Sequence, residues 1–291
     1  MEEGRRGLPR LDLCASRSPA AFALSPAVER PEDHRLATIR LNDVTRSFQL
    51  PAGRLNVLDC VTLSVAQREV VAVIGPNGSG KSTLLRLIGG LIPPDTGTIS
   101  IDDQPVSEGD PRVGLVFQEP RLLPWRRAVD NVAFPLQLVG MSRQERRLRA
   151  MELLELVGMT DFADAYPHQL SGGMRQRVAI ARALARHPSV LLMDEPFSAL
   201  DALTRERFNL ELLSLWQRTA TTIVLVTHSI PEAVFLADRV IVLSPRPGRV
   251  VAELPVELPR PRRLEAVDEA AYSSIAASIR SYLAETDATA A

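Results

Sequence analysis

Residues 70–83 constrain this chain more than any other stretch. Val70-Val71-Ala72-Val73-Ile74 is a short, continuous apolar run rich in β-branched residues, the pattern of a strand buried on both faces. It leads into Gly75-Pro76-Asn77-Gly78-Ser79-Gly80-Lys81-Ser82-Thr83, after which Leu84-Leu85-Arg86-Leu87-Ile88 opens as a helix. Strand, glycine loop and helix in that order, with G-x-x-x-x-G-K-S complete from Gly75 to Ser82, make a phosphate-binding loop. Glycines at 75, 78 and 80 let backbone N–H groups turn inward without a Cβ clash, forming an anion nest. The helix adds the positive end of its dipole and its free N–H donors. Lys81 then places a mobile cation between the β- and γ-phosphates, and the Ser82 hydroxyl is suited to ligate Mg²⁺. Lys81 is also the only lysine among 34 basic residues. The single compact ammonium stands where a point charge is wanted and a planar fork is not.

Composition narrows the class. A chain of 291 residues with 45% hydrophobic and 24% charged content has ample material for a packed core. The net charge of −1 gives no sign of a nucleic-acid surface. Cys14 and Cys60 are too few for a disulfide framework, which fits a reducing compartment. No apolar run approaches the roughly 18 residues that span a bilayer.

Residues 1–35, rich in Arg, Pro, Ser and Ala without hydrophobic periodicity, read as a disordered extension. Ala37–Leu41 and Val57–Val65 alternate like strands of an antiparallel layer, with Phe48 between them. An aromatic there is placed either to stack on an adenine ring or to fill the core. Val113–Phe117 is a further buried strand ending at Gln118. Residues 119–187 read as an all-helical insertion, with helical spacing from Arg127 to about Gly158 (Leu148 among its apolar positions) and a second helix opening at Ser171 and stopping before Pro188. Val190–Met193 is a strand that delivers Asp194 and Glu195, and Thr222–Thr227 one that ends at His228. A hydrophobic strand ending in Asp194 presents a carboxylate to Mg²⁺. After residue 255 the tail keeps helical spacing from Leu264 to Leu283. Strands alternating with helices, with chemistry at strand carboxyl ends, argue for an α/β protein with a mainly parallel sheet.

Phosphate loop, Leu170-Ser171-Gly172-Gly173, Asp194-Glu195 and His228, in this order, resemble the nucleotide-binding subunit of ATP-binding cassette (ABC) transporters over residues 36–255. The resemblance implies a P-loop NTPase core of RecA type, carrying an antiparallel β layer and the helical insertion. It implies ATP and Mg²⁺ as ligands, Glu195 as general base, and His228 on the γ-phosphate. Gln118 would reach the metal and the attacking water. Ser171, Gly172 and Gly173 would cap the γ-phosphate held by a second copy of the chain, with Asp201 in the loop crossing that interface. One copy of each motif then implies a head-to-tail homodimer. Phe48 stands where a tyrosine is frequent, and Met174 where glutamine is.

Val116-Phe117-Gln118-Glu119-Pro120-Arg121-Leu122-Leu123-Pro124-Trp125, Phe197-Ser198-Ala199-Leu200-Asp201 and Ser244-Pro245-Arg246-Pro247-Gly248-Arg249 look like importers of nitrate, sulfonate and taurine-type solutes. That resemblance implies an integral membrane permease as partner, a solute-binding protein acting indirectly, and a place at the cytoplasmic face of the inner membrane. Trp125 is then either an anchor for a permease helix or core filling. A soluble ABC ATPase and an exporter cassette are the alternatives.

Overall fold

The computed structural model describes residues 37–51, 53–198, 200–219, 221–262 and 269–290. The expected disorder of residues 1–35, and Leu264 and Val267 of the expected tail helix, lie outside them. In chain order the strands and helices are β1 (Ala37–Leu50), β2 (Gly53–Ala66), β3 (Val70–Ile74), α1 (Lys81–Ile88), β4 (Thr96–Ile101), β5 (Gln104–Pro105) and β6 (Val113–Val116). There follow α2 (Ala128–Leu138), α3 (Arg143–Leu156), α4 (Gly172–Ala183), β7 (Val190–Asp194) and α5 (Ala202–Thr219). The chain ends with β8 (Thr222–Val226), α6 (Ile230–Leu236), β9 (Arg239–Leu243), β10 (Val250–Pro255) and α7 (Glu269–Ala290).

Two sheets form. One is antiparallel, in the order β2-β1-β4-β5; the other runs β10-β9-β3-β8-β7-β6, parallel except for β10. β3 and β8 are buried at every position, as sequences of Val, Ile and Leu covered on both faces must be. α1 lies between the sheets: Leu84, Leu85, Leu87 and Ile88 share one cluster with Ile39 and Leu41 of β1 and Val71 and Val73 of β3. On the opposite face α2, α3, α4 and α5 build a second cluster. α6 and α7 pack a third, in which Ile279 meets Ala233 and Val234. Among the described residues no helix is long and apolar enough to cross a membrane.

Several boundaries differ from the sequence expectation. β1 and β2 are longer than their alternating cores and close a hairpin, so Phe48 lies within β1, paired with Leu55, and not between strands. The expected helix from Arg127 to Gly158 is two helices, since Gly140 at φ +79° breaks the chain and Ser142 with Glu145 forms a capping box for α3. Leu148 is exposed on α3. β8 ends at Val226, one residue short of the expected Thr227, whereas α4 stops before Pro188 as expected, at Ala183.

Candidate functional site

The parallel sheet brings the carboxyl ends of β3, β7 and β8 side by side, and the residues that follow each strand converge there. After β3, the loop has the backbone its glycines allow. Gly78 and Gly80 have φ of +81° and +97°, a region closed to most L residues. A Cβ at Gly80 would lie 2.7 Å from Leu58, and one at Gly75 2.9 Å from the Leu243 carbonyl. α1 begins at Lys81 with no side chain capping its amino end and no acidic residue in its first turn, so its positive pole is open to an anion. The Ser79 hydroxyl is buried without a partner. These features fit a phosphate ligand.

Lys81 is only 6% exposed, and its Nζ donates to the carbonyls of Gly75 at 2.8 Å and Pro76 at 3.0 Å. Burial pushes its pKa down, against the pull of Glu195 and Asp194. The Ser82 hydroxyl donates to Asp194 Oδ1 at 2.9 Å, joining α1 to β7. Burial raises the Asp194 pKa, with Ser82 opposing. Pro76 is partly exposed, Asn77 is exposed on the rim, and Thr83 lies in the first turn of α1.

Glu195 follows at φ +43°, left-handed backbone that a non-glycine residue adopts at a cost, held by its N–H donating to Val226 at 2.9 Å. His228 Nδ1 stands 3.2 Å from Glu195 Oε2, and Gln118 Nε2 donates to the same oxygen at 3.4 Å. One carboxylate oxygen thus gathers residues from three strand ends. Ser198, which the sequence reading missed, joins this group: its hydroxyl accepts from Gln118 at 3.3 Å and donates to the Glu195 carbonyl at 3.1 Å. The only hint was its position in the turn after Asp194-Glu195.

The remaining candidates divide. Phe48 is partly buried against the core, with the Arg46 guanidinium 4.9 Å over one ring face. Arg46 is itself held by Pro93 O and Asp95, each at 2.9 Å. Ser171 caps α4, accepting from the Met174 N–H at 3.3 Å, and with Gly172 is exposed. Gly173 is buried, and a Cβ there would meet Phe208 at 3.1 Å, so its lack of a side chain serves packing. Asp201 caps α5, accepting from the Thr204 N–H at 3.0 Å. Trp125 is 71% exposed, which rules out core filling. The turn 244–249 packs on the phosphate loop: a Cβ at Gly248 would overlap the Ser79 carbonyl at 2.0 Å, and one at Gly78 would be 3.8 Å from Arg246 Nη2.

Comparison with known proteins agrees with this geometry. A family described as ABC transporter matches residues 58–198. A taurine import ATP-binding protein of Rhizobium johnstonii is 48% identical over 223 residues, covering 76% of this chain and 85% of that one. A nitrate import ATP-binding protein of Synechocystis is 48% identical over 221 residues, covering 76% and 83%. Among solved structures, the dimeric ATP-binding cassette MJ0796 bound to ADP and phosphate superposes with a TM-score of 0.67 at 38% identity, covering 75% of this chain and 98% of that one.

Proposed function

The chain belongs to the ABC transporter family and is an ATP-binding, ATP-hydrolysing cassette, and from that premise we propose that it powers an importer of small anionic solutes of the taurine, sulfonate or nitrate type. The observation that carries the catalytic half of this reading is the convergence of Gln118 and His228 on one oxygen of Glu195, beside the phosphate loop. In it the nest of Gly75–Gly80 and the α1 amino end bind the phosphates, and Lys81 leaves its loop carbonyls to meet them. Ser82 and Asp194, with the Gln118 amide oxygen, offer the hard oxygen donors that suit Mg²⁺, which takes few protein ligands beside a nucleotide's phosphates. Held by these residues, Mg²⁺ would supply positive charge against the nucleotide's phosphates. Glu195 orients and deprotonates the attacking water, and His228 holds that carboxylate and the γ-phosphate in line.

Domain organisation is proposed in the same terms: a nucleotide-binding unit over 36–255 with its helical part at 119–187, followed by a tail. The exposed Ser171 and Gly172 at the amino end of α4 support a head-to-tail dimer in which that rim covers the partner's nucleotide. Exposed Trp125 precedes Arg126, which donates to Gln137 at 2.9 Å beside exposed Leu138 and Val139, and this supports a permease helix docking on this face, which would hold the protein at the cytoplasmic side of the membrane. The import ATP-binding relatives supply the solute class.

Affinity purification of the tagged chain from detergent-solubilised host membranes tests this reading. A multi-span permease should co-purify stoichiometrically. Ribosomal or DNA-bound partners, with no membrane protein, would overturn the import assignment and leave the ATPase.

A further inference from the structure

The segment after β10 takes no part in the reading above, yet it holds two arginines in a specific setting. Arg262 is a buried cation, 5% exposed, whose Nη1 donates to the carbonyls of Val234 at 3.2 Å, Phe235 at 2.9 Å and Ala237 at 2.7 Å. Arg260 Nη2 donates to the Leu236 carbonyl at 2.8 Å. The last carbonyls of a helix have no partner within it. α6 ends at Leu236 without a basic residue in its own last turn, so cations from a later segment satisfy its orphan carbonyls, at the pole that favours positive charge. Asp238 anchors the clasp: one oxygen accepts from Arg260 Nε at 2.9 Å, the other from the Val70 N–H at 2.9 Å where β3 begins. The Arg260 guanidinium also lies 4.3 Å over the Trp216 ring of α5.

The opposite end of α6 carries His228. The Thr227 hydroxyl donates to Glu232 Oε2 at 2.9 Å and accepts from the Ser229 N–H at 3.0 Å, while Ser229 caps the helix through the Glu232 N–H at 3.4 Å. His228 therefore sits between two residues tied to the first turn of α6. A helix of 7 residues has no stability of its own, so its place is set by what grips it.

We propose that Arg262, assisted by Arg260, is a positioning residue for His228: the clasp on the carboxyl end of α6 fixes where the imidazole stands beside Glu195. This rests on the hydrolytic role assigned to His228 above.

The test compares full-length wild type with Arg262→Ala, Arg262→Lys, His228→Ala and the double variant Arg262→Ala/His228→Ala. Arg262→Ala should lower kcat about tenfold with KM for ATP changed less than about twofold, and lysine should restore part of the rate. The double variant should be no slower than His228→Ala alone, because two residues acting through one group are not additive. The imidazole resonance of His228, assigned among four histidines by its loss in His228→Ala, should shift in Arg262→Ala. Losses that multiply in the double variant, or a fall in kcat that follows the folded fraction with the resonance unmoved, would overturn the proposal. If Arg262→Ala does not fold, Arg260→Ala takes its place with a smaller loss of kcat and the same resonance shift. Wild-type turnover in His228→Ala would sink the hydrolytic role of His228 instead. The resonance then decides the positioning claim alone: shifted upholds it, unmoved overturns it.

Discussion

Among the described residues, α1 and α4 both have glycine at their amino ends, Gly80 just before α1 and Gly172 opening α4, and for different reasons. At α1 the glycines answer to backbone conformation: Gly78 and Gly80 need positive φ, no side chain caps the helix, and the donors face a loop closed by residues of the same chain. At α4 the amino end is already capped by Ser171, Gly173 is glycine because Phe208 leaves no room, and what stays exposed is the rim of Ser171 and Gly172. On the proposed reading the first is a complete anion site, and the second is half of one whose other half comes from a second copy of the chain.

Glu195→Gln breaks this contrast most sharply. Losing the base should slow ATP hydrolysis by roughly 10²–10⁴-fold while the α1 site still binds nucleotide. Bound ATP then persists, and the exposed α4 rim should close on a second copy, giving an ATP-dependent dimer on size exclusion. A monomer at saturating ATP would mean that the rim has no phosphate to meet.

Gly80→Ala attacks the α1 side. The left-handed φ of +97° and a Cβ 2.7 Å from Leu58 leave an alanine no unstrained place. We expect a loss of about 2–3 kcal/mol in unfolding experiments and ATP binding weakened below detection by equilibrium dialysis. ATP affinity within twofold of wild type would show that the loop's geometry is not what binds phosphate.

Much of this was legible in the sequence because each feature has a local cause. The loop, the buried strand runs and the Ser171 cap are written in neighbouring residues, and Lys81 stands out as the only lysine. What was not legible depends on distant partners. Phe48 looked like a loop aromatic because the hairpin register that draws it into β1 comes from Leu55. The packing demand on Gly173 was hidden because Phe208, which fills the space beside it, is 35 positions away. Ser198 had only its place in the turn after Asp194-Glu195, and the Arg260–Arg262 clasp had no signal: their roles exist only once β6 and β7, or α6 and the segment after β10, lie side by side.

A third helix end sharpens the contrast by opposing it. α6 is capped by Ser229 and carries Glu232 in its first turn, so its positive pole already has an anion. Burial nevertheless raises the Glu232 pKa from 4.5 to about 7, with the Thr227 hydrogen bond and the Arg205 charge opposing and Glu195 adding to the rise. A native pKa above the unfolded one means that the folded state binds the proton more tightly. Stability from this group is therefore full below pH 4.5 and lost as pH rises to about 7. Asp95 and Asp110, whose pKa values are lowered chiefly by hydrogen bonds from Ser47 and Arg112, act in the opposite sense at lower pH. The measurement is accordingly a difference: relative to Glu232→Gln, wild type should lose about 1 kcal/mol per pH unit between pH 5 and 7 in denaturant unfolding. Parallel pH profiles for the two proteins would show that Glu232 does not titrate there.

The smallest effects test the two glycines of α4 against each other. At Gly172 a Cβ meets nothing closer than Arg175 Nη2 at 4.0 Å, and alanine is the better helix former, so Gly172→Ala should change unfolding free energy by less than about 1 kcal/mol. Its methyl would nevertheless stand on the exposed rim, where a phosphate must approach the backbone. ATP affinity of the monomer should stay constant while the ATP-dependent dimer and turnover decline. Gly173→Ala should do the reverse. With Phe208 at 3.1 Å the ring must give by a few tenths of an ångström, costing about 1 kcal/mol in stability, and turnover should fall only as far as the folded fraction does. If instead both alanines cut dimer formation equally with no change in stability, the two glycines share one role and the packing explanation of Gly173 fails. If neither affects the dimer, the exposed end of α4 is a capped helix terminus and nothing more.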